Sequence, residues 1–286
     1  MMDFSIVIVT YNSINSLRGC LGSIPLDGVN SIFEVIVVDN ASSDGTVDFV
    51  RSKYPGVKLI ENDNNLGAAK ARNQAVGISS GKWVVTLDCD TVLSKGFIAV
   101  IRDFLPRVPA GVGMIQPKVL YPFGDIVYSC GIYLSRIRRF YDIGKGKSYS
   151  LGLTKRRRLL GPCAAAALYR RSMLEEIKDK YGYFDERFFF LVEDVDIAWR
   201  AQKKWWQAVF FPEAFCFHPG NSSSTGVKIR QFLAYRNRKM MIEKNEKSID
   251  KARLFIFYLF YDWIKRIYYL CTNKYFVKML KVSNEP

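Results

Sequence analysis

The chain has 286 residues, 49% of them hydrophobic, enough to bury one substantial core, which excludes a disordered protein or a small disulfide-stapled one. Its formal net charge of +15 is concentrated: residues 136–158 hold nine Lys/Arg against the single acid Asp142, and residues 228–286 hold fourteen against five acids. The remainder is nearly neutral, so the expected anionic partner is lipid and no nucleic acid is expected.

Six cysteines, Cys20, Cys89, Cys130, Cys163, Cys216 and Cys271, form no C-x-x-C pair and are expected to be reduced core thiols in the cytoplasm. The N-terminal Met-Met-Asp-Phe has an acid where an export signal needs basic residues, which points the same way.

In chain order, Ile6–Val9, Val35–Val38, Val57–Ile60 and Val84–Leu87 are short β-branched runs that predict strands buried on both faces. Between them lie segments of helical length near residues 14–24, 44–54 and 66–79. Such alternation predicts an α/β fold with a mostly parallel sheet and right-handed crossovers. A helix over Gly96–Leu105 follows, then strands at Val112–Ile115 and Gly131–Leu134 that complete the sheet. The basic, glycine-containing segment Arg136–Arg158 has no apolar period and predicts a mobile loop.

In a parallel sheet the ligand crevice lies beyond the carboxyl ends of the strands. There the sequence places Thr10-Tyr11-Asn12, Asp39-Asn40, Glu61-Asn62 and Asp88-Cys89-Asp90, an acidic rim without the glycine fingerprint of a dinucleotide site. Asp88 and Asp90 can hold a divalent cation that bridges a diphosphate; spacing alone favours a solvated loop, and it is their position after the fourth strand that points to the cation. Asn40 reads as a turn residue, and Asp44 as either an N-cap or a ligand contact. Small residues at Gly67, Ala68 and Ala71 allow close approach to the sheet or to a ligand, and core packing explains them as well.

The stretch from Phe188 to Arg200 sets three carboxylates among aromatic residues. As a helix, it places Glu193, Asp196 and Arg200 on one stripe and turns Asp194 about 100° away. Asp196 and Arg200 therefore read as a structural pair, and Asp194 is left available; placement in a helix first turn, where negative charge is favoured, explains Glu193 and Asp194 equally well.

The pieces Ser5-Ile-Val-Ile-Val-Thr-Tyr-Asn12, Val37-Val-Asp-Asn-Ala-Ser-Ser-Asp-Gly-Thr46, Asn62-Asp-Asn-Asn-Leu-Gly-Ala-Ala-Lys-Ala-Arg-Asn73, Leu87-Asp-Cys-Asp90, Gly182-Tyr-Phe-Asp-Glu-Arg-Phe-Phe189 and Glu193-Asp-Val-Asp-Ile-Ala-Trp-Arg200 together resemble family 2 of the inverting glycosyltransferases, which have the GT-A fold, and within it the rhamnosyltransferase-like branch. The resemblance implies a nucleotide-diphospho-sugar donor, dTDP-rhamnose or a UDP-sugar, and an acceptor hydroxyl on a glycan or lipid-linked glycan in surface polysaccharide synthesis. It implies Asp194 as general base, with Glu193 and Asp196 as the competing candidates, and Thr10, Tyr11, Asp39, Asp44, Arg72, Asp88 and Glu193 as substrate contacts. It further implies Mg²⁺ or Mn²⁺ on Asp88, Asp90 and His218, where His218 by itself reads as a loop residue. Two departures stand out: Cys89 between the two aspartates, and Lys203-Lys-Trp-Trp206 where the family commonly has a glycine before an aromatic residue. A non-catalytic nucleotide-sugar or polysaccharide binding module, or a membrane scaffold, is the alternative on such a fold.

The expected organisation is a GT-A domain over 1–227, with a nucleotide-sugar half (1–110) and an acceptor half (111–227), followed by a helical membrane-associating tail over 228–286. Arg156–Arg158 are expected to meet a phosphorylated acceptor or lipid headgroups. In the tail only residues 254–261 run uncharged, far short of the roughly 20 that span a bilayer. Its aromatic and basic content predicts a helix lying on the cytoplasmic face of an anionic membrane, or alternatively packed on its own domain or in a homodimer.

Overall fold

The structure, a computed structural model, describes residues 2–26, 32–150, 152, 159–220 and 225–282. Strands β1 (Phe4–Thr10), β2 (Phe33–Asp39), β3 (Lys58–Glu61) and β4 (Trp83–Asp88) run parallel in the order β3-β2-β1-β4. Helices α1 (Ile14–Gly22), α2 (Thr46–Lys53) and α3 (Ala68–Ile78) connect them. The side-chain period of two divides each strand between two core layers. In β1, Phe4, Ile6 and Ile8 pack with Leu17 of α1 and Val50 of α2, while Val7 packs with Ala71 and Ala75 of α3.

Across the sheet lie β5 (Val92–Leu93), α4 (Phe97–Phe104), β6 (Val112–Leu120) and β7 (Val127–Ser129), the last antiparallel to β6. The strand expected at Val112–Ile115 thus runs to Leu120. Ile132–Leu134 (β8) does not complete the main sheet as expected. Gly131, at φ +104°, turns the chain away from β7, and β8 pairs antiparallel with Phe140–Asp142 (β9) in a separate ribbon. The segment read as a loop from Arg136 onward therefore contains a strand. Its Arg156–Arg158 cluster lies outside the described residues.

Two further features depart from the pattern. Val57–Ile60 was expected to be buried on both faces, but β3 is an edge, with Lys58 and Glu61 exposed and Lys58 paired to Glu34 at 2.7 Å. The strand β10 (Ala166–Arg170), antiparallel to β4 and β6 in mid-sheet, has no β-branched residue to announce it. Its helix α5 (Arg171–Ile177) leads to α6 (Glu193–Lys203) and to β11 (Gln207–Phe217), which runs parallel to β6. Where a glycine was missing after α6, Trp205 itself adopts φ +69°, so the left-handed turn survives without one.

Helix α7 (Val227–Asn245) packs into this body. It buries Phe232, Leu233, Asn237 and Met241, and Lys244 reaches Asp185 at 2.7 Å and Asp196 at 3.2 Å. The outward part of the tail is α8 (Ser248–Thr272), in which no residue is buried, whereas α9 (Lys274–Val282) folds back on α7, where Phe276 packs with Phe232, Leu233 and Tyr235. Among the described residues, no helix is long and apolar enough to cross a membrane.

Candidate functional site

The strand ends meet around a cavity of about 660 Å³ lined by, among others, Thr10, Tyr11, Arg72, Asp88, Asp90, Glu193, Asp194 and His218. Asp88 ends β4, and Asp90 sits in the turn that leads to β5. The pairing of Phe217 with Val92 carries the end of β11 alongside that turn, which brings His218 to the aspartates. Its Nε2 lies 3.1 Å from an Asp90 oxygen and 3.6 Å from an Asp88 oxygen. One ligand atom from each residue falls within 4.8 Å of the others. Two hard carboxylate oxygens and one imidazole nitrogen at that separation fit a divalent cation of the Mg²⁺ or Mn²⁺ type.

Opposing influences act on the His218 ring. Burial pulls its pKa down, but hydrogen bonds to Asp88 and Asp90 outweigh burial and lift it to about 9. In the neutral ring the Gly220 N–H donates to Nδ1 at 3.1 Å, which places that form's single proton on Nε2, facing the carboxylates, where a bound cation would displace it. Burial likewise pushes Asp88 up, yet the His218 hydrogen bond and the Arg72 charge bring it below its ordinary 3.8.

Arg72 is buried on α3 and makes a bridge. It donates to Asp88 at 2.9 Å and to Glu193 at 2.5 Å, so the cation cluster and the acidic start of α6 share one guanidinium. The other Glu193 oxygen has no hydrogen-bond partner in the structure. Asp194 turns away from Glu193 into the cavity. One of its oxygens accepts from Val195 N–H at 2.8 Å and the other from Ala164 N–H at 3.2 Å. Burial, and after it the Glu193 charge, pushes the Asp194 carboxyl from 3.8 up to about 7, against the pull of the Ala164 hydrogen bond. Asp196 faces elsewhere: Arg200 donates to it at 2.8 Å and Asn245 at 2.7 Å, so the pair expected from i, i+4 spacing is present and lies within the core.

At the ends of β1 and β2, Thr10 pairs in register with Asp39. The Thr10 hydroxyl and one Asp39 oxygen are buried without hydrogen-bond partners, which is rare unless a ligand completes the site. The other Asp39 oxygen accepts from Ser42 N–H at 2.8 Å. Asp44 is committed to the loops, since it accepts from Ile14 N–H at 2.9 Å and from the Thr46 hydroxyl at 2.5 Å. Asn40 accepts from Asn62 at 2.9 Å and is likewise structural. Cys89 packs against the core layer beside α1 and α4.

Sequence reasoning passed over several residues of the wall. Asp142 and Lys145, 3.1 Å apart, reach the cavity from the basic segment, with Lys145 over the Tyr128 ring. One acid within a run of bases was their only signal.

A family model described as glycosyl transferase family 2 matches residues 5–178. The N-acetylglucosaminyl-diphospho-decaprenol L-rhamnosyltransferase of Mycobacterium tuberculosis is 28% identical over 259 residues, covering 83% of this chain and 82% of the relative. A PGL/p-HBAD biosynthesis glycosyltransferase of Mycobacterium bovis is 32% identical over 127 residues, covering 43% of this chain and 46% of the relative. Among solved structures, S. aureus TarS has a TM-score of 0.60 at 19% identity, over 90% of this chain and 43% of that one. The mannosyltransferase PcManGT from Pyrobaculum calidifontis, in complex with GDP-Man and Mn²⁺, has a TM-score of 0.58 at 18% identity, over 98% of this chain and 79% of that one. At such identities the two structures bear on the fold alone.

Proposed function

The chain belongs to glycosyl transferase family 2, with the GT-A fold, and on that premise we propose that it is an inverting enzyme moving a sugar from a nucleotide-diphospho-sugar to the hydroxyl of a lipid-linked glycan. The observation that carries this reading is that one cavity is lined both by Asp194, a carboxylate held by two backbone N–H groups alone, and by the Asp88–Asp90–His218 cluster. Likeness to the decaprenol rhamnosyltransferase favours a rhamnosyl donor and a diphospho-polyprenol acceptor in surface polysaccharide synthesis.

In this reading the unpartnered Thr10 hydroxyl and Asp39 oxygen take hydrogen bonds from or to the nucleoside, beside the half-exposed ring of Tyr11. Asp88, Asp90 and His218 would hold Mg²⁺ or Mn²⁺, which supplies positive charge against the departing diphosphate. Asp194 takes the proton from the acceptor hydroxyl, whose oxygen attacks the anomeric carbon on the face opposite the diphosphate. The carbon–oxygen bond to the diphosphate breaks as the new glycosidic bond forms, and the configuration inverts. Arg72 holds Asp88 and Glu193 in fixed relation, so the leaving-group side and the base side keep their separation. Asp44 contributes by tying the loops after β1 and β2 together. Glu193 contributes through Arg72 and through the charge that raises Asp194.

The outward helix α8 leaves Phe255, Phe260, Trp263 and Ile264 more than half exposed, with Lys251, Arg253, Lys265 and Arg266 on the same helix. Such a face suits the headgroup region of an anionic membrane, and we assign the protein to the cytoplasmic surface, where a lipid-linked acceptor is reached. The experiment that tests the catalytic reading is a donor screen by nucleoside diphosphate release, with and without Mg²⁺ or Mn²⁺. Turnover of one sugar nucleotide that requires the cation and yields the inverted anomer is expected. Retention of configuration, or no release from any donor, refutes it.

A further inference from the structure

The segment that delivers Asp194 to the cavity is folded against backbone preference. Phe189, Leu191 and Val192 have φ of +63°, +70° and +76°, a region that non-glycine residues rarely enter and that a β-branched valine enters least readily. Between Phe189 and Val192 the chain belongs to no helix or sheet and bonds little to itself: Phe190 N–H reaches the Phe188 carbonyl at 2.7 Å, and the other buried carbonyl oxygens need donors from beyond the strap. The donors are all identifiable. The Val192 carbonyl accepts from Asp196 N–H at 3.0 Å, inside α6, and the Phe189 carbonyl accepts from Ala69 N–H of α3 at 3.2 Å. Every other carbonyl from Arg187 to Leu191 is met by two adjacent residues of α7. Asn237 Nδ2 donates to Phe188, Phe190 and Leu191 at 2.9, 2.8 and 2.8 Å, and Arg236 donates to Arg187 and Phe188 at 2.9 and 3.1 Å.

We propose that Asn237 is a positioning residue for the reaction: its fully buried amide locks the left-handed Phe189–Val192 strap and thereby fixes where Asp194 stands in the cavity. The inference rests on Asp194 acting as the base. Side-chain chemistry supports the choice of residue. A primary amide offers two N–H groups from one planar nitrogen without bringing a charge into the core, and three carbonyls converge on it here. An aspartate of the same shape presents oxygen to those carbonyls and repels them. The opposite side of the strap is closed by α3: a Cβ on Gly67 would stand 2.5 Å from the Phe189 carbonyl oxygen, so the strap has no room to relax that way. With one wall fixed by Gly67 and the other by Asn237, the geometry at Asp194 depends on a residue 43 positions further along the chain.

The test uses the full chain carrying Asn237→Asp, Asn237→Ala or Arg236→Ala. Nucleoside diphosphate release gives kcat and the donor KM, and hydrogen exchange read by mass spectrometry gives the opening of residues 187–196. The Asn237 variants are expected to lose at least 30-fold in kcat with donor KM within threefold of native. The strap amides should exchange at least tenfold faster, while those of β1 and β4 keep their native rates. Arg236→Ala, which keeps the Asn237 side chain but removes the Nε–H that donates to its Oδ1 at 2.9 Å, should show the same split at three- to tenfold. Native kcat in a folded Asn237 variant overturns the proposal, as does unchanged exchange in the strap. A kcat loss matched by an equal rise in KM also overturns it, since that marks general damage to the site. If neither Asn237 variant folds, Arg236→Ala decides by the same two readouts. Should the native chain release no nucleoside diphosphate from any donor, the reading of Asp194 fails, and strap exchange alone then upholds or sinks the clamp.

Discussion

Asp194→Asn separates catalysis from stability, because the structure predicts that the two move in opposite directions. The Asp194 carboxyl titrates at about 7 in the fold against 3.8 in an ordinary setting. A rise of that size corresponds to roughly 4 kcal/mol for a fully buried group, and partial exposure to the cavity discounts this to about 2 kcal/mol. The sign follows from proton binding: between 3.8 and about 7 the native state holds a proton that the unfolded chain has lost. The carboxyl thus costs nothing below the unfolded value, and its cost to stability grows as pH rises to about 7 and is complete above it. Asparagine carries no charge, but its amide can accept from only one of the Ala164 and Val195 N–H groups, which returns about 1 kcal/mol. The net gain is about 1 kcal/mol at pH 8, a rise in Tm of roughly 2–4 °C, and near pH 4, where the charge no longer costs anything and only the lost hydrogen bond remains, it turns into a loss of similar size. Transfer, meanwhile, should fall by about 10²–10⁴-fold while nucleoside diphosphate binding persists. Calorimetric unfolding of the metal-free protein at pH 4 and pH 8, with nucleoside diphosphate release at pH 8, measures both. Residual transfer above a tenth of native refutes the base assignment, and a Tm that falls equally at both pH values refutes the buried-charge argument.

Transfer by the native enzyme should rise with pH as the Asp194 carboxyl ionises around 7, and a rate independent of pH from 5 to 8 would exclude it as the titrating base. His218→Ala removes one of three ligand atoms and should weaken Mn²⁺ binding at least tenfold by calorimetry, whereas native affinity and turnover would remove His218 from the cluster. Gly67→Ala forces a Cβ to 2.5 Å from the Phe189 carbonyl at φ +82°, for a loss of about 2 kcal/mol seen in the denaturation midpoint; an unchanged midpoint means the strap is not confined there. Replacing Phe255, Phe260, Trp263 and Ile264 on α8 by serine should abolish flotation with anionic liposomes, and a native chain that fails to float and runs as a dimer would reassign the α8 face to a second copy.

The parts of this fold that announced themselves were those whose physics is local. β1, β2 and β4 are β-branched runs buried on both faces, and Asp196 finds Arg200 because both stand on one helix four residues apart. β10 stayed silent because its alanines read as weak strand formers, although small side chains suit the middle of a sheet crossed closely by helices. The tie between His218 and Asp90 depends on a two-residue pairing of β11 with β5, too short to leave a period. Asn237 left no signal at all, since its partners are backbone carbonyls and the need for it arises from dihedral angles at Phe189, Leu191 and Val192. The expected membrane helix was legible as an aromatic and basic run, but its junction with the body was not: α7 has seven charged residues against six in the longer α8 and is nonetheless fastened inward by Asn237, Lys244 and Asn245.

His218 is the only histidine in the chain, and it stands between two carboxylates and against the Tyr128 ring at 4.4 Å between centroids. Imidazole resonances in this protein therefore report on one place. A single nitrogen-15 label at histidine turns the cluster into a built-in spectroscopic meter, in which tautomer, protonation and metal occupancy are read without any substitution.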